Sequence, residues 1–166
     1  MSEGRSARNA PEIGEGDRLL DKYVVERVLG RGGMGLVLAV RHEELGGLFA
    51  MKLLLPQALG FPEALPRFLR EARAAAKLRS EHAVRVVDVG KLPSGEPYML
   101  MEHLDGADLK EVLEREGPLV PTRAVRYVVE VCEALDEAHA NGVVHRDLKP
   151  ANIFLVRRPN GGSTVK

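Results

Sequence analysis

Tryptophan is absent from the 166 residues, and the aromatic share is only 4%. The chain therefore has little surface for stacking on unpaired nucleobases. Excess charge is also absent. Lys+Arg and Asp+Glu both number 24, so the formal net charge is zero and no field draws nucleic acid or an anionic membrane. A single cysteine, Cys132, excludes an internal disulfide framework and suits a reducing compartment. No apolar run approaches the roughly 20 residues of a membrane helix. The opening "MSEGRSARNAPEIGEGDR" has no apolar signal-peptide core. The expected setting is cytoplasmic, with no membrane segment in this chain, although a longer parent has room for an anchor elsewhere.

What is present is ordinary globular material: 45% hydrophobic and 29% charged residues. The length suits one domain or two small lobes. Residues 1–20 read as a disordered leader, rich in Gly, Ser, Asn and charge. "KYVVERVLG", "LVLAVRH" and "LFAMKLLL" then read as three strands of an antiparallel meander. "PEALPRFLREARAAAKLRS" switches to helical period, with Phe68, Leu69, Ala72, Ala75, Ala76 and Leu78 recurring and Pro66 in the first turn. "AVRVVDVGKL" and "EPYMLMEHL" give two more strands around "PSGE". "LDGADLKEVLEREG" predicts a short helix ending at Gly117. "PTRAVRYVVEVCEALDEAHANG" predicts a long one, with an apolar stripe of Val125, Val128, Val129, Cys132, Leu135 and Ala138 and a stop at Gly142.

"LGRGGMGLV" sets Gly30, Gly32 and Gly35 in the spacing G-x-G-x-x-G. Glycines so placed let backbone N–H groups approach phosphate oxygens, and they also make a flexible hairpin turn. The strand-forming "LVLAV" that follows departs from a dinucleotide fingerprint, which needs a helix there. A Walker loop is excluded because no Gly-Lys-Ser/Thr follows.

Lys52 lies in an apolar strand. It is either an edge residue with its head in water or a cation with a buried partner able to reach inner phosphates. Glu71 is the one acid in the middle of the next helix, and Arg67 at i−4 competes for it. In "HRDLKPAN", Asp147, Lys149 and Asn152 bring an acceptor carboxylate, a cation and a metal-capable amide oxygen within six residues. They follow a helix stop, and Pro150 prevents helix continuation. Such a set can converge on a transferred phosphoryl group. No paired metal-ligand spacing links His42, His82, His103 and His139, which read as structural or surface residues.

Taken in order, "GRGGMGLV", "FAMK", "FLREARAAAKL", "YMLMEHLDG" and "HRDLKPAN" make the chain resemble a bacterial, eukaryotic-like serine/threonine protein kinase. An aminoglycoside-phosphotransferase-like enzyme fits "HRDLKPAN" less well. The resemblance implies an α+β fold: a five-stranded antiparallel N-lobe sheet with one main helix, then an incomplete, mainly helical C-lobe. It divides the chain into a leader (1–20), N-lobe and hinge (21–104) and partial C-lobe (105–166). It implies ATP and Mg²⁺ as cofactors and protein Ser/Thr hydroxyls as acceptors, with no nucleic-acid partner. Leu29, Gly30, Gly32, Gly33 and Gly35 would cover the nucleotide, and Lys52, paired with Glu71, would hold its α and β phosphates. Met101 would be the gatekeeper. Glu102 and Leu104 would meet adenine through their backbone, and Val37, Ala50 and Phe154 would sandwich the ring. Asp147 would orient the acceptor hydroxyl, Lys149 would stabilise the moving phosphoryl and Asn152 would hold a metal ion. Asp-Phe-Gly occurs nowhere in the sequence. The expectation is therefore the first part of a kinase, inactive alone, with an inactive nucleotide- or partner-binding module as the alternative.

Overall fold

A computed structural model describes residues 13–33, 35–158 and 161–166. The β-branched and aliphatic runs form strands β1 (Arg18–Leu19), β2 (Tyr23–Arg31), β3 (Gly35–His42), β4 (Leu48–Leu54), β5 (Val86–Lys91) and β6 (Pro97–Glu102). They make one antiparallel sheet in the order β1-β2-β3-β4-β6-β5. The five strands expected become six. The addition is β1, in register Arg18↔Val24 and Leu19↔Tyr23, with Leu19 buried in the sheet core. Two residues are too few to show alternation. The disordered leader expected over 1–20 is thus corrected at its end, and residues 1–12 lie outside the described residues.

Side-chain alternation gives the sheet two faces. The register Val37↔Lys52, Ala39↔Ala50, Lys52↔Met99 and Ala50↔Met101 puts these residues on one face. Leu36, Leu38, Val40, Met51, Leu53 and Leu100 take the other and form its core with Val25 and Tyr98. A short helix α1 (Pro56–Leu59) and the longer α2 (Ala64–Ala75) follow β4. Ala64, Phe68 and Ala72, four residues apart, bury against Leu54, Ala58 and Met99, which seats α2 on the Lys52 face.

The second half comprises β7 (Gly106–Asp108), α3 (Leu109–Glu116), α4 (Pro121–Ala140), a 3₁₀ turn at Pro150–Asn152, β8 (Phe154–Arg157) and β9 (Ser163–Val165). The helix expected from "LDGADLKEVLEREG" is shorter than its sequence suggests. A Cβ on Gly106 would meet the Leu155 carbonyl oxygen at 1.9 Å, so glycine is what lets β7 pair with β8. The Asp108 carboxylate then accepts the Glu111 N–H at 2.9 Å and caps the helix that starts at Leu109. Both predicted stops hold, Gly117 at φ 77° and Gly142 at φ 72°.

Val112, Tyr127, Leu155 and Val165 form a second core, flanked by Val131 and Ile153. The apolar stripe expected along α4 splits. Ala138 is buried, whereas Val125, Val128, Val129 and Cys132 are exposed, because the core takes the neighbouring face through Tyr127 and Val131.

Acids of α4 tie the two halves together. Glu137 accepts the backbone N–H groups of Arg79 and Ser80 at 2.8 and 2.7 Å. Within the second half, Glu130 accepts the Val165 N–H at 2.7 Å. His82 is 7% exposed, with Nδ1 3.0 Å from the Val165 carbonyl oxygen and Nε2 3.3 Å from Glu133 Oε2.

Candidate active site

The glycine segment turns between β2 and β3. Gly30 pairs with Val37 and Arg31 with Leu36, and the Gly32 N–H closes on the Gly35 carbonyl at 2.9 Å. The glycines serve different ends. A Cβ on Gly35 would meet the Leu53 carbonyl oxygen at 2.9 Å, so this one lets β3 lie close to β4. At Gly30, Gly32 and Gly33 a Cβ would meet nothing within 4 Å. Internal packing does not require glycine there, and the open backbone fits a phosphate cradle. Leu29 is 40% exposed on the same strand.

Lys52 Nζ lies 3.2 Å from Glu71 Oε2. Glu71 Oε1 accepts Arg67 Nε at 2.9 Å, so the two pairings weighed for this acid both form. Burial pushes the Glu71 carboxyl up, but the hydrogen bonds and charges of Arg67 and Lys52 outweigh it and hold the pKa below its ordinary value. Lys52 and Glu71 are 38% and 43% exposed, so the pair is worth about 0–1 kcal/mol of stability. A cavity of about 170 Å³ joins Gly35, Lys52, Phe68 and Glu71.

The loop after α4 gathers the second set. Arg146 has φ 64°, a left-handed conformation uncommon outside glycine, and so carries local strain. Asp147 Oδ2 lies 2.8 Å from Lys149 Nζ and accepts Asn152 Nδ2 at 3.0 Å, while the same nitrogen donates to the Asp147 carbonyl at 2.7 Å. Hydrogen bonds from Lys149 and Asn152 hold the Asp147 carboxyl below its ordinary value. The Asn152 nitrogen is thus committed, which leaves Oδ1 as its ligand atom for a cation. Among the described residues no cluster of three or more His, Cys, Asp or Glu side chains forms a metal cage. Asn152 Oδ1 fits one protein ligand of a cation otherwise held by phosphate oxygens and water, rather than one enclosed by protein.

Val37, Ala50 and Met101 share the Lys52 face of the sheet. Leu104, Asn152 and Phe154 instead line a separate cavity of about 420 Å³, with His82, His145 and Lys166. Neither cavity unites the two sets. The sequence motifs do not reveal the tether at Glu102, whose Oε1 accepts the Arg85 N–H at 2.7 Å and Lys166 Nζ at 2.5 Å. Nor do they single out Glu137. The acids Glu130, Glu133 and Glu137 recur at i, i+3 and i+7 on a helix, a periodic signal that the residue order alone carries.

A family profile described as Protein kinase domain matches residues 23–166. The chain belongs to the protein kinase domain family. The serine/threonine-protein kinase pkn3 of Myxococcus xanthus is 40% identical over 151 residues, covering 91% of this chain and 28% of pkn3. Serine/threonine-protein kinase PknB of Mycobacterium tuberculosis is 40% identical over 140 residues, 82% of this chain and 22% of PknB. The crystal structure of the M. tuberculosis PknI kinase domain matches with a TM-score of 0.73 at 33% identity, covering 93% of this chain and 61% of that one. The kinase-like α+β fold is thereby shown, and the chain spans only about a quarter of the curated relatives' length. No helix among its described residues is long and apolar enough to cross a membrane.

Proposed function

We propose that the chain is the nucleotide-binding and catalytic-loop part of an ATP-dependent serine/threonine protein kinase. The observation that carries this is the convergence of Asp147, Lys149 and Asn152 in one hydrogen-bonded loop. Residues 21–104 form the nucleotide lobe and hinge, and residues 105–166 begin the second lobe. With one thiol and a need for ATP, the setting is cytoplasmic.

When bound with Mg²⁺, ATP supplies the phosphoryl group and the cation neutralises its charge. Everything else falls to the protein. Open backbone at Gly30, Gly32 and Gly33 approaches phosphate oxygens without Cβ obstruction. Glu71 steadies the Lys52 ammonium, which adds a point charge for the inner phosphates. Val37, Ala50 and Met101 on the Lys52 face would meet the base, the Glu102 and Leu104 backbone and Phe154 would reach it from the separate cavity that Leu104 and Phe154 line, and Leu29 would close over it. Asn152 Oδ1 would help hold the cation. Asp147 orients a serine or threonine hydroxyl. It also takes the hydroxyl's proton, and hydrogen bonds from Lys149 and Asn152 hold its carboxyl below the ordinary value. Lys149, 2.8 Å from Asp147, is placed to share charge with the moving phosphoryl.

A radiolabelled-ATP assay on a generic Ser/Thr substrate tests this with three proteins: chain Met1–Lys166, a version continued through an Asp-Phe-Gly and activation segment, and its Asp147→Asn form. Transfer is expected in the continued version alone. No Asp147-dependent transfer there refutes the kinase reading and leaves the inactive binding module. Robust transfer by the 166-residue chain refutes the division of labour.

A further inference from the structure

Helix α2 turns Glu71 toward Lys52 and carries a different chemistry on its outer side. Arg70 and Arg73 stand on α2, Lys77 lies just past its end at Ala75, and all three are exposed. They line a groove of about 620 Å³ between α2 and the residues after α4, Asn141 to Val143. Leu65, Leu69, Ala74 and Val143 give it an apolar floor, and among the described residues no acidic side chain lines it. The far wall does not supply the missing negative charge. The carbonyls of Glu137, Ala138 and His139 are already taken by the N–H groups of Asn141, Gly142 and Val143.

Many other cations of the chain are already paired. Arg18, Arg41, Arg67, Lys110, Arg123 and Arg158 each have a carboxylate within ion-pair distance. Among the described residues Arg70, Arg73 and Lys77 have none, although the chain as a whole is neutral. Three unpaired cations along one groove repel each other until an anion arrives. Arg70 and Arg73 lie on α2 and Lys77 lies two residues past its end at Ala75, so the cations are strung along the groove rather than gathered around one small anion. The floor is aliphatic and lacks the aromatic faces on which bases stack.

We propose that this groove is a docking site for a short acidic peptide segment with leucine-sized anchors. Its carboxylates meet Arg70, Arg73 and Lys77, and its apolar side chains cover Leu65, Leu69 and Val143. This surface is independent of Asp147 and of phosphoryl transfer.

The test is fluorescence anisotropy with chain Met1–Lys166 and fluorescein-labelled peptides of about twelve residues. One peptide is rich in glutamate and carries two leucines. A second replaces the glutamates by glutamine, and a third replaces the leucines by serine. The protein variants are the triple Arg70→Gln, Arg73→Gln, Lys77→Gln and, as a control, the exposed pair Lys91→Gln, Arg157→Gln. Circular dichroism confirms that both keep the fold. The Glu/Leu peptide should bind the parent chain and the control equally, and the triple variant at least about tenfold more weakly. Each altered peptide should lose at least about fivefold, and salt should weaken the Glu/Leu peptide. No binding up to about 1 mM overturns the proposal. So does equal affinity for the triple variant, for the serine peptide or for a single-stranded oligonucleotide. Self-association of the parent chain that disappears in the triple variant would assign the groove to a second copy and overturn it too.

Discussion

Replacing Glu137 by alanine should loosen the junction between the sheet half and the helical half. The carboxylate accepts two backbone donors, Arg79 N–H at 2.8 Å and Ser80 N–H at 2.7 Å. A hydrogen bond to a charged group contributes about 1.5–3 kcal/mol. Arg79 is exposed and water can replace its partner, so its loss sits near or below the low end, whereas half-buried Ser80 bears more of the full cost. An opposing effect is real but smaller. Glu137 stands in the last turn of α4, where the helix dipole disfavours an acid by about 0.3–1 kcal/mol. The hydrogen bonds win, and Glu137→Ala should cost about 1–3 kcal/mol net. Glu137→Gln keeps one oxygen without its charge and should cost roughly half of that. Urea unfolding followed by circular dichroism reads the change as a lower midpoint at constant slope. Amide exchange at residues 79 and 80 should speed up before exchange in β3 or β4 does. A loss under about 0.5 kcal/mol in both variants, or unchanged exchange at those two amides, would refute the reasoning.

Lys52→Met should lower phosphoryl transfer by a continued kinase at least about 100-fold. It should leave urea stability within about 1 kcal/mol, because the Lys52–Glu71 pair is partly exposed. The Glu71 pKa is depressed on folding, so its contribution is present above the ordinary value of 4.5 and lost as pH falls through the folded value. Glu71→Gln should therefore flatten the acid limb of a stability–pH curve below 4.5. Burial and the Asp88 hydrogen bond raise Tyr98 from 10.0 to about 12, so it contributes stability below pH 10.0 that is lost as pH rises toward 12. In a tyrosinate absorbance titration, Asp88→Asn should move this late step to lower pH.

Motif chemistry is more legible in the sequence than tertiary pairing. The glycine hairpin, Lys52 with Glu71, and the Asp147, Lys149 and Asn152 loop can be read because each is local or sits at fixed spacing on one element. Five strands can be read because their β-branched runs are long. β1 cannot, since its two residues gain their place only from Tyr23 and Val24. β7 reads as helix because "GADLKEV" is helix-compatible. The decisive fact, the Leu155 carbonyl 1.9 Å from where a Gly106 Cβ would stand, comes from a strand about fifty residues later. The buried face of α4 departs from its pattern for a related reason. Its valines and Cys132 satisfy helical period, but the buried side is set by Tyr127 and Val131 against β8 and β9.

Strand order imposes a timetable on synthesis. β4, which carries Lys52, leaves the ribosome with β3 on one side and nothing on the other. Its second neighbour is β6, Pro97–Glu102, made only after α1, α2 and the outer strand β5. For that interval the edge of β4 is open, and an unpaired aliphatic strand invites pairing with another chain. Helix α2 emerges in the meantime and can cover the Lys52 face before the edge is closed. β6 must then enter between two strands already made. The slowest productive step for a nascent chain should be that insertion, not formation of the early meander.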